Sequence, residues 1–564
     1  MRTDKGRIYP LGASVLENGV NFSVAVEQGK KCELLLYKAG GKSPFWNIEM
    51  KEEPNHGMLR AIQVEGLKPE EWEYNFRIDG AECLDPYVRA VSGKKSWGEP
   101  LEEGKVPRGR IVVDDYDWEG DAPLQISYEE VVAYSLHVRG FTKHSSSKVK
   151  NKGTFSGVVE KIPYMRHLGI NQIHLMPIYE FEENGKYKNY WGYGEAYWFA
   201  PKAAYAKSHD QVKELKDMVK SCHRSGIEVI LNLPFTAEVS HSNIVECIHY
   251  YMLEFHVDGF IVNPYCAPFE ELRKDPLLSN TKILRQKDDF QDIMRRFLKG
   301  DEGMIDGVMW WLRHTTGKDG VFNYITSHTG FTLNDLVSYD RKHNELNGEK
   351  NQDGPDYNYS WNCGAEGPSR KKAVVELRKN QIKNACMLLL FAQGMPCIHA
   401  GDEFLNSQKG NNNVYCQDNE TGWLNWSKEG EKHWLFRFVR DLIAFRRKHP
   451  VLHCKEELVG IDRVASGVPD ISYHGEAAWQ VPSEVSSRQL GIYYYGEAFG
   501  DVSCFVAYNM HWLAHSFALP ALTKKKKWYL AVSTQDGVLE EEILLENQKE
   551  VIVDERTICI FIGR

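Results

Sequence analysis

What most constrains this chain is a rhythm between about residues 131 and 450, where short, largely apolar runs alternate with stretches patterned like amphipathic helices. The runs are "VVAYSLHV", "INQIHLMP", "IEVILNLPF", "VDGFIVNP", "TKILRQ", "FNYITSH" and "MPCIHAG". Most are apolar at consecutive rather than alternate positions, as in a strand buried on both faces. Between them lie segments such as "HDQVKELKDMVKSCHRSG", with apolar residues at helical spacing. The alternation implies a parallel sheet covered by helices, and seven such runs suit a closed (β/α)8 TIM barrel with one strand unrecognised. An open doubly wound sheet is the alternative.

On either side the pattern shortens. "GVNFSVAV", "CELLLY" and "YNFRIDG", separated by Gly, Pro and Asn turns, predict an N-terminal β-sandwich. "GIYYYG", "SCFVAYNM", "KWYLAVS" and "TICIFIGR" predict a C-terminal antiparallel β-sandwich after a last barrel helix, "FRFVRDLIAFRRKHPVL". The expected domains are therefore residues 1–125, 126–450 and 451–564. A chain of 564 residues, 42% hydrophobic and 12% aromatic, has the material for all three cores.

The formal charge of −9 is spread over interspersed acids and bases, which argues against a nucleic-acid partner, because such a partner calls for a basic surface that releases counterions. The run "KKKK" at Lys524 to Lys527 is short enough to be a solvated loop. There is no apolar leader after "MRTDKGRIYPLG" and no run of 18 apolar residues, so a cytoplasmic location without membrane contact is expected. The 12 cysteines lack ligand or redox spacing; free buried thiols, no metal and no cofactor are expected.

Chemistry in such a barrel sits on the loops after the strand ends, which puts Trp191, Tyr193, Asn232, Asn263, Gln286, His328 and Thr329 in view. Around these positions the chain resembles the α-amylase superfamily of glycoside hydrolases (family thirteen), and within it the isoamylase and glycogen-debranching branch. The likeness is carried by "YSLHVRGFT", "NYWGYG", "VDGF", "RRFLKGDEG", "NYITSHTGFTLNDLVSY", "KHNELNGEKNQDG", "SWNCGAEGP" and "AGDEFLNSQKGNNNVYCQDNE". Before the barrel, "PLGAS", "GVNFSV" and "LDPYVRA" resemble the starch-binding-type sandwich of debranching enzymes. The resemblance implies a retaining hydrolase of α-1,6 branch points, with a nucleophilic carboxylate and a carboxylic acid about 5 Å apart, aided by a third carboxylate and an arginine.

Carried over residue by residue, that machinery is missing. Asn232 stands at the first-region Asp, Ile261 at the arginine, Asn263 at the nucleophile, Gln286 at the general acid, and Thr329 at the transition-state-stabilising Asp. Amides neither attack an anomeric carbon well nor deliver a proton, and they do not balance charge on an oxocarbenium-like centre. No catalytic residue is therefore expected to be competent. Pro264 also disfavours succinimide-based deamidation of Asn263. Only 31 positions separate Asn232 from Asn263, where debranching enzymes usually carry a long loop.

Tyr193 matches the aromatic that stacks under a sugar ring, a contact that needs no carboxylate. Trp191 and His328 are its companions as candidate substrate-binding residues, with rim packing and a structural histidine as equal readings. Asp335, Asp402 and Glu403 read as loop anchors, and Trp46, Trp72 and Trp97 as core or interface residues with a glucan surface site as the alternative. Three functions stay open. The first is a non-catalytic α-glucan-binding or regulatory protein for glycogen, starch or maltooligosaccharide, with an active debranching homologue as its candidate partner. The second is an active hydrolase with relocated acids drawn from Glu238, Asp288 and Asp289. The third is an interaction module without sugar binding.

Overall fold

The computed structural model describes residues 2–94, 96–99, 106–208, 210–428, 433–523 and 525–564. At the N-terminus, strand Gly19–Ala25 pairs antiparallel with Gly12–Leu16 and Leu59–Glu65, while Cys32–Lys38 pairs with Trp46–Glu49 and Trp72–Ile78. Alternation along the strands points Val20, Phe22 and Val24 at Leu34, Leu36, Tyr74 and Phe76, which fill the space between the sheets.

The barrel is a parallel sheet in the order Lys282–Leu284, Gly259–Val262, Glu228–Leu233, Gln172–Leu175, Ala133–Leu136 and Cys397–His399. Bridges from Arg285 to Val321 and from Asn323 to Pro396 join its two edges. The expected architecture is thus present and the open-sheet alternative is not. Among the described residues, the pairing closes through these six strands and the segment around residues 321–323, seven staves in all. Ala133, Ile230, Ile261, Leu284, Phe322, Met395 and Cys397 fill the interior. Helices Gln211–Arg224, His241–Phe255, Asp289–Lys299, Lys372–Leu390 and Trp434–Lys448 follow in the sequence, each with a buried face.

The floor of the barrel is polar and paired. Buried Glu228 accepts the backbone N–H of Ile126 at 2.8 Å and the Lys282 ammonium at 2.5 Å, so the linker entering the barrel is pinned across its lower end. The C-terminal sheet runs Ile471–His474, Gln489–Tyr494, Ser503–Asn509, Thr557–Gly563, Trp528–Ser533 and Gly537–Leu544, all antiparallel. Asn384 of the long helix fastens it to the barrel, accepting from the Thr534 hydroxyl at 2.6 Å and donating to the Arg556 carbonyl at 2.7 Å.

All 12 cysteines are free thiols. Trp72 is buried in the N-terminal core and Trp46 packs against it. Trp97 stacks on Tyr205 at 5.6 Å, tying the end of the N-terminal region to the barrel. Lys524 of the tetralysine run lies outside the described residues; Lys526 pairs with Glu497 at 2.8 Å. No helix among the described residues is long and apolar enough to cross a membrane.

Candidate functional site

At the C-terminal end of the barrel, Asn232, Ile261, Gln286, Tyr324 and His328 line one void with Ser135 and His174. Its volume is about 20 Å³, room for one water molecule and far too little for a sugar ring.

Two sets of hydrogen-bonding side chains occupy this end. In the first, the Tyr193 phenol oxygen lies 2.7 Å from His328 Nε2, with the Asn232 amide beside the phenol. Burial pushes the His328 imidazole down to about 4, with His137 adding to the effect, so it is neutral at pH 7. In the second, the Tyr324 phenol donates to Asp288 Oδ1 at 2.5 Å, with the Gln286 amide beside it. At both positions the amide supplies an N–H that an ionised carboxylate lacks.

Trp191 is buried, its ring edge-to-face with His328 at a centroid distance of 5.0 Å and with Tyr193 at 5.8 Å. Of this aromatic trio only Tyr193 is half-buried and keeps part of its ring open. Sequence reasoning singled out all three but missed Tyr324. Alternation along "FNYITSH" was the available signal, because it turns Phe322, Tyr324 and Thr326 to the same side as His328.

Asn263 and Thr329 stand apart from the void. Both are exposed. Asn263 folds onto its own loop, its Oδ1 accepting from the Tyr265 N–H at 3.0 Å. The Thr329 N–H and carbonyl are both engaged by the Ser327 hydroxyl, at 3.3 and 3.0 Å. The acids weighed as replacements, Glu238, Asp288 and Asp289, are exposed, and Asp288 alone contacts a void-lining group, through Tyr324.

The remaining acids are anchors. Asp335 accepts from the Ser407 hydroxyl at 2.6 Å and the Gln408 N–H at 2.8 Å. Glu403 accepts the phenols of Tyr134 and Tyr164 at 2.7 and 2.6 Å, and burial raises its pKa. Asp402 accepts from the Thr326 hydroxyl and the Leu333 N–H, and burial pushes it up to about 7. Among the described residues no cluster of His, Cys, Asp and Glu could hold a metal ion.

The family model for the alpha-amylase catalytic domain matches residues 139–243. Over a much longer span the chain is 31% identical to a glycogen debranching enzyme of Erwinia tasmaniensis, covering 79% of this chain and 85% of that one. The chain belongs to the isoamylase and glycogen-debranching branch of the alpha-amylase family. An isoamylase 1 of Arabidopsis thaliana is 30% identical over 78% of this chain and 74% of its own. For isoamylase SU1 of Zea mays the values are 29%, 91% and 82%. That last alignment runs over 661 positions, more than the 564 residues of this debranching-branch chain, so the maize relative carries segments absent here. The fold also matches the apo pullulanase of Paenibacillus barengoltzii, with a TM-score of 0.74 at 20% identity, over 99% of this chain and 94% of that one.

Proposed function

We propose that this member of the debranching branch holds α-glucan without cutting it. The observation that carries the reading is the void at the barrel mouth, which Asn232, Gln286, Tyr324 and His328 line and no carboxylate does. Retaining hydrolysis calls for a nucleophile and an acid about 5–5.5 Å apart. Here the positions that the resemblance aligns with them hold an exposed asparagine in a turn and a glutamine on the wall of the void.

Tyr193, half-buried at the mouth, is the aromatic residue that can lie against a sugar, since stacking survives the loss of charge. Relatives named as isoamylases and glycogen debranching enzymes support glycogen or starch as the glucan class, and a pullulanase of the same fold has been solved with maltotriose. A regulatory role beside a catalytically active debranching homologue fits a chain of this kind.

The second reading, hydrolysis by relocated acids, draws on one contact: the Asp288 carboxylate reaches the void through Tyr324. Glycogen co-sedimentation run beside a reducing-end assay on a branched α-glucan separates the readings. Retention without product supports the first. Product that disappears in Asp288→Asn or Glu238→Gln supports the second, and neither retention nor product leaves an interaction module.

A further inference from the structure

A groove of about 760 Å³ runs along the seam between the N-terminal sandwich and the barrel, away from the barrel mouth. Its volume falls in the range of small-molecule sites, about 300–1,000 Å³, whereas the void at the mouth is about 20 Å³. One wall is a single stripe of helix His241–Phe255: Ser242, Val245, Glu246, His249 and Leu253 recur at three- and four-residue spacing. The facing wall is the sandwich edge, with Tyr9, Pro10, Tyr87 and Arg89, and Phe199 lies between them.

The rings in this groove are held in place. Tyr87 donates its phenol to Asn243 and packs on Phe199 at 5.1 Å, and Phe199 packs on Tyr250 at 5.6 Å. The Arg89 guanidinium lies 5.2 Å from the Tyr250 ring centre. Tyr9 lies near Glu246 and is 65% exposed, and Leu253 in the same groove is 58% exposed. Large side chains that are anchored and still open to water form a platform for a ligand with an apolar face.

The polar groups narrow the ligand further. Glu246, Glu254 and Glu271 supply hydroxyl acceptors, Arg89 supplies donors, and the histidines at 241 and 249 complete a rim of mixed sign. Three carboxylates disfavour an anion, while alternating donors and acceptors between aromatic faces suit a neutral polyhydroxy chain with C–H faces. Resting on the reading of this chain as an α-glucan binder, we propose that the seam groove is a second α-glucan site and holds more of the polymer than the barrel mouth does. It draws on both domains, so glucan bound there bridges sandwich and barrel.

The test uses the full chain and glycogen co-sedimentation, with maltoheptaose as a soluble competitor. Tyr9→Ala removes the platform, and Leu253→Arg places bulk and charge in the groove from an exposed position. Trp512→Ala removes a comparably exposed aromatic (55%) on the C-terminal sandwich. Tyr9→Ala and Leu253→Arg are each expected to weaken glycogen retention by at least roughly tenfold, with Trp512→Ala within about twofold of the parent chain. If Tyr9→Ala fails to fold, Leu253→Arg carries the test alone. Parent-like retention in the groove variants, or loss in Tyr193→Ala alone, overturns the seam site while leaving glucan binding intact. A parent chain that glycogen does not retain overturns both.

Discussion

The Tyr193 hydroxyl sits 2.7 Å from Nε2 of His328, with the Asn232 amide beside the same phenol. This junction joins residues from three parts of the barrel rim without any net charge. The phenol is its central member, because it lies between the other two. Tyr193→Phe leaves a buried imidazole nitrogen without this partner and is expected to destabilise the chain by about 1–3 kcal/mol. Thermal unfolding with matched refolding yields measures it; an unchanged midpoint contradicts the role given to the hydroxyl.

Ile261, which the family resemblance aligns with an arginine, packs inside the barrel with Ile230, Leu284 and Phe322, only 6% exposed. No carboxylate lines the void it borders. Ile261→Arg therefore buries an unpaired charge and is expected to cost roughly 3–5 kcal/mol. Ile261→Leu, which keeps the volume, is expected to stay within about 1.5 kcal/mol. Equal midpoints for the two variants would show that the arginine finds solvent or a partner.

Placing carboxylates at the two positions that the resemblance aligns with nucleophile and acid is not expected to produce cleavage. Asn263 is exposed and bonded within its own turn, so Asn263→Asp places its charge in water rather than at the void. Gln286→Glu sets a second carboxylate near Asp288 and the one Tyr324 proton. The double variant is predicted to release reducing ends at the background rate and to unfold at a lower temperature than the parent. Release well above background would mean that the barrel mouth adapts to charge alone.

Asp402 offers a pH test. Burial raises its folded pKa to about 7, above the usual carboxylate value of about 3.9 in an unfolded chain. A raised acid binds its proton more tightly when folded, so its contribution to stability is most favourable at low pH and is lost as pH climbs from about 4 through about 7. Asp402→Asn removes that dependence. The stability of the variant relative to the parent should therefore rise across this window by on the order of a few kcal/mol and then level off. Parallel unfolding midpoints from pH 4 to 8 would contradict the assignment.

Much of this was legible in the residues. "VDGFIVNP" and its companions announced parallel barrel strands, because runs buried on both faces do not alternate. Strand-end reasoning picks out Asn232, Asn263, Gln286, His328 and Thr329 alike. The structure gathers Asn232, Gln286 and His328 around one void, whereas loop conformation, which periodicity does not encode, turns Asn263 and Thr329 to solvent. The placing of each amide beside a phenol was out of reach, since Tyr193 and Tyr324 come from segments far from those amides in the chain. So was the seam groove: Tyr9 and Glu246 are separated by two domains' worth of sequence, and only packing brings them together.

The most direct measurement is reducing-end release from a branched α-glucan by the purified parent chain, with co-sedimentation of the same preparation on glycogen as the binding readout. The account predicts retention on glycogen and no release above the buffer control, in the parent and in Asp288→Asn alike. Sustained release by the parent that vanishes in Asp288→Asn would contradict it and identify a working acid at the barrel mouth.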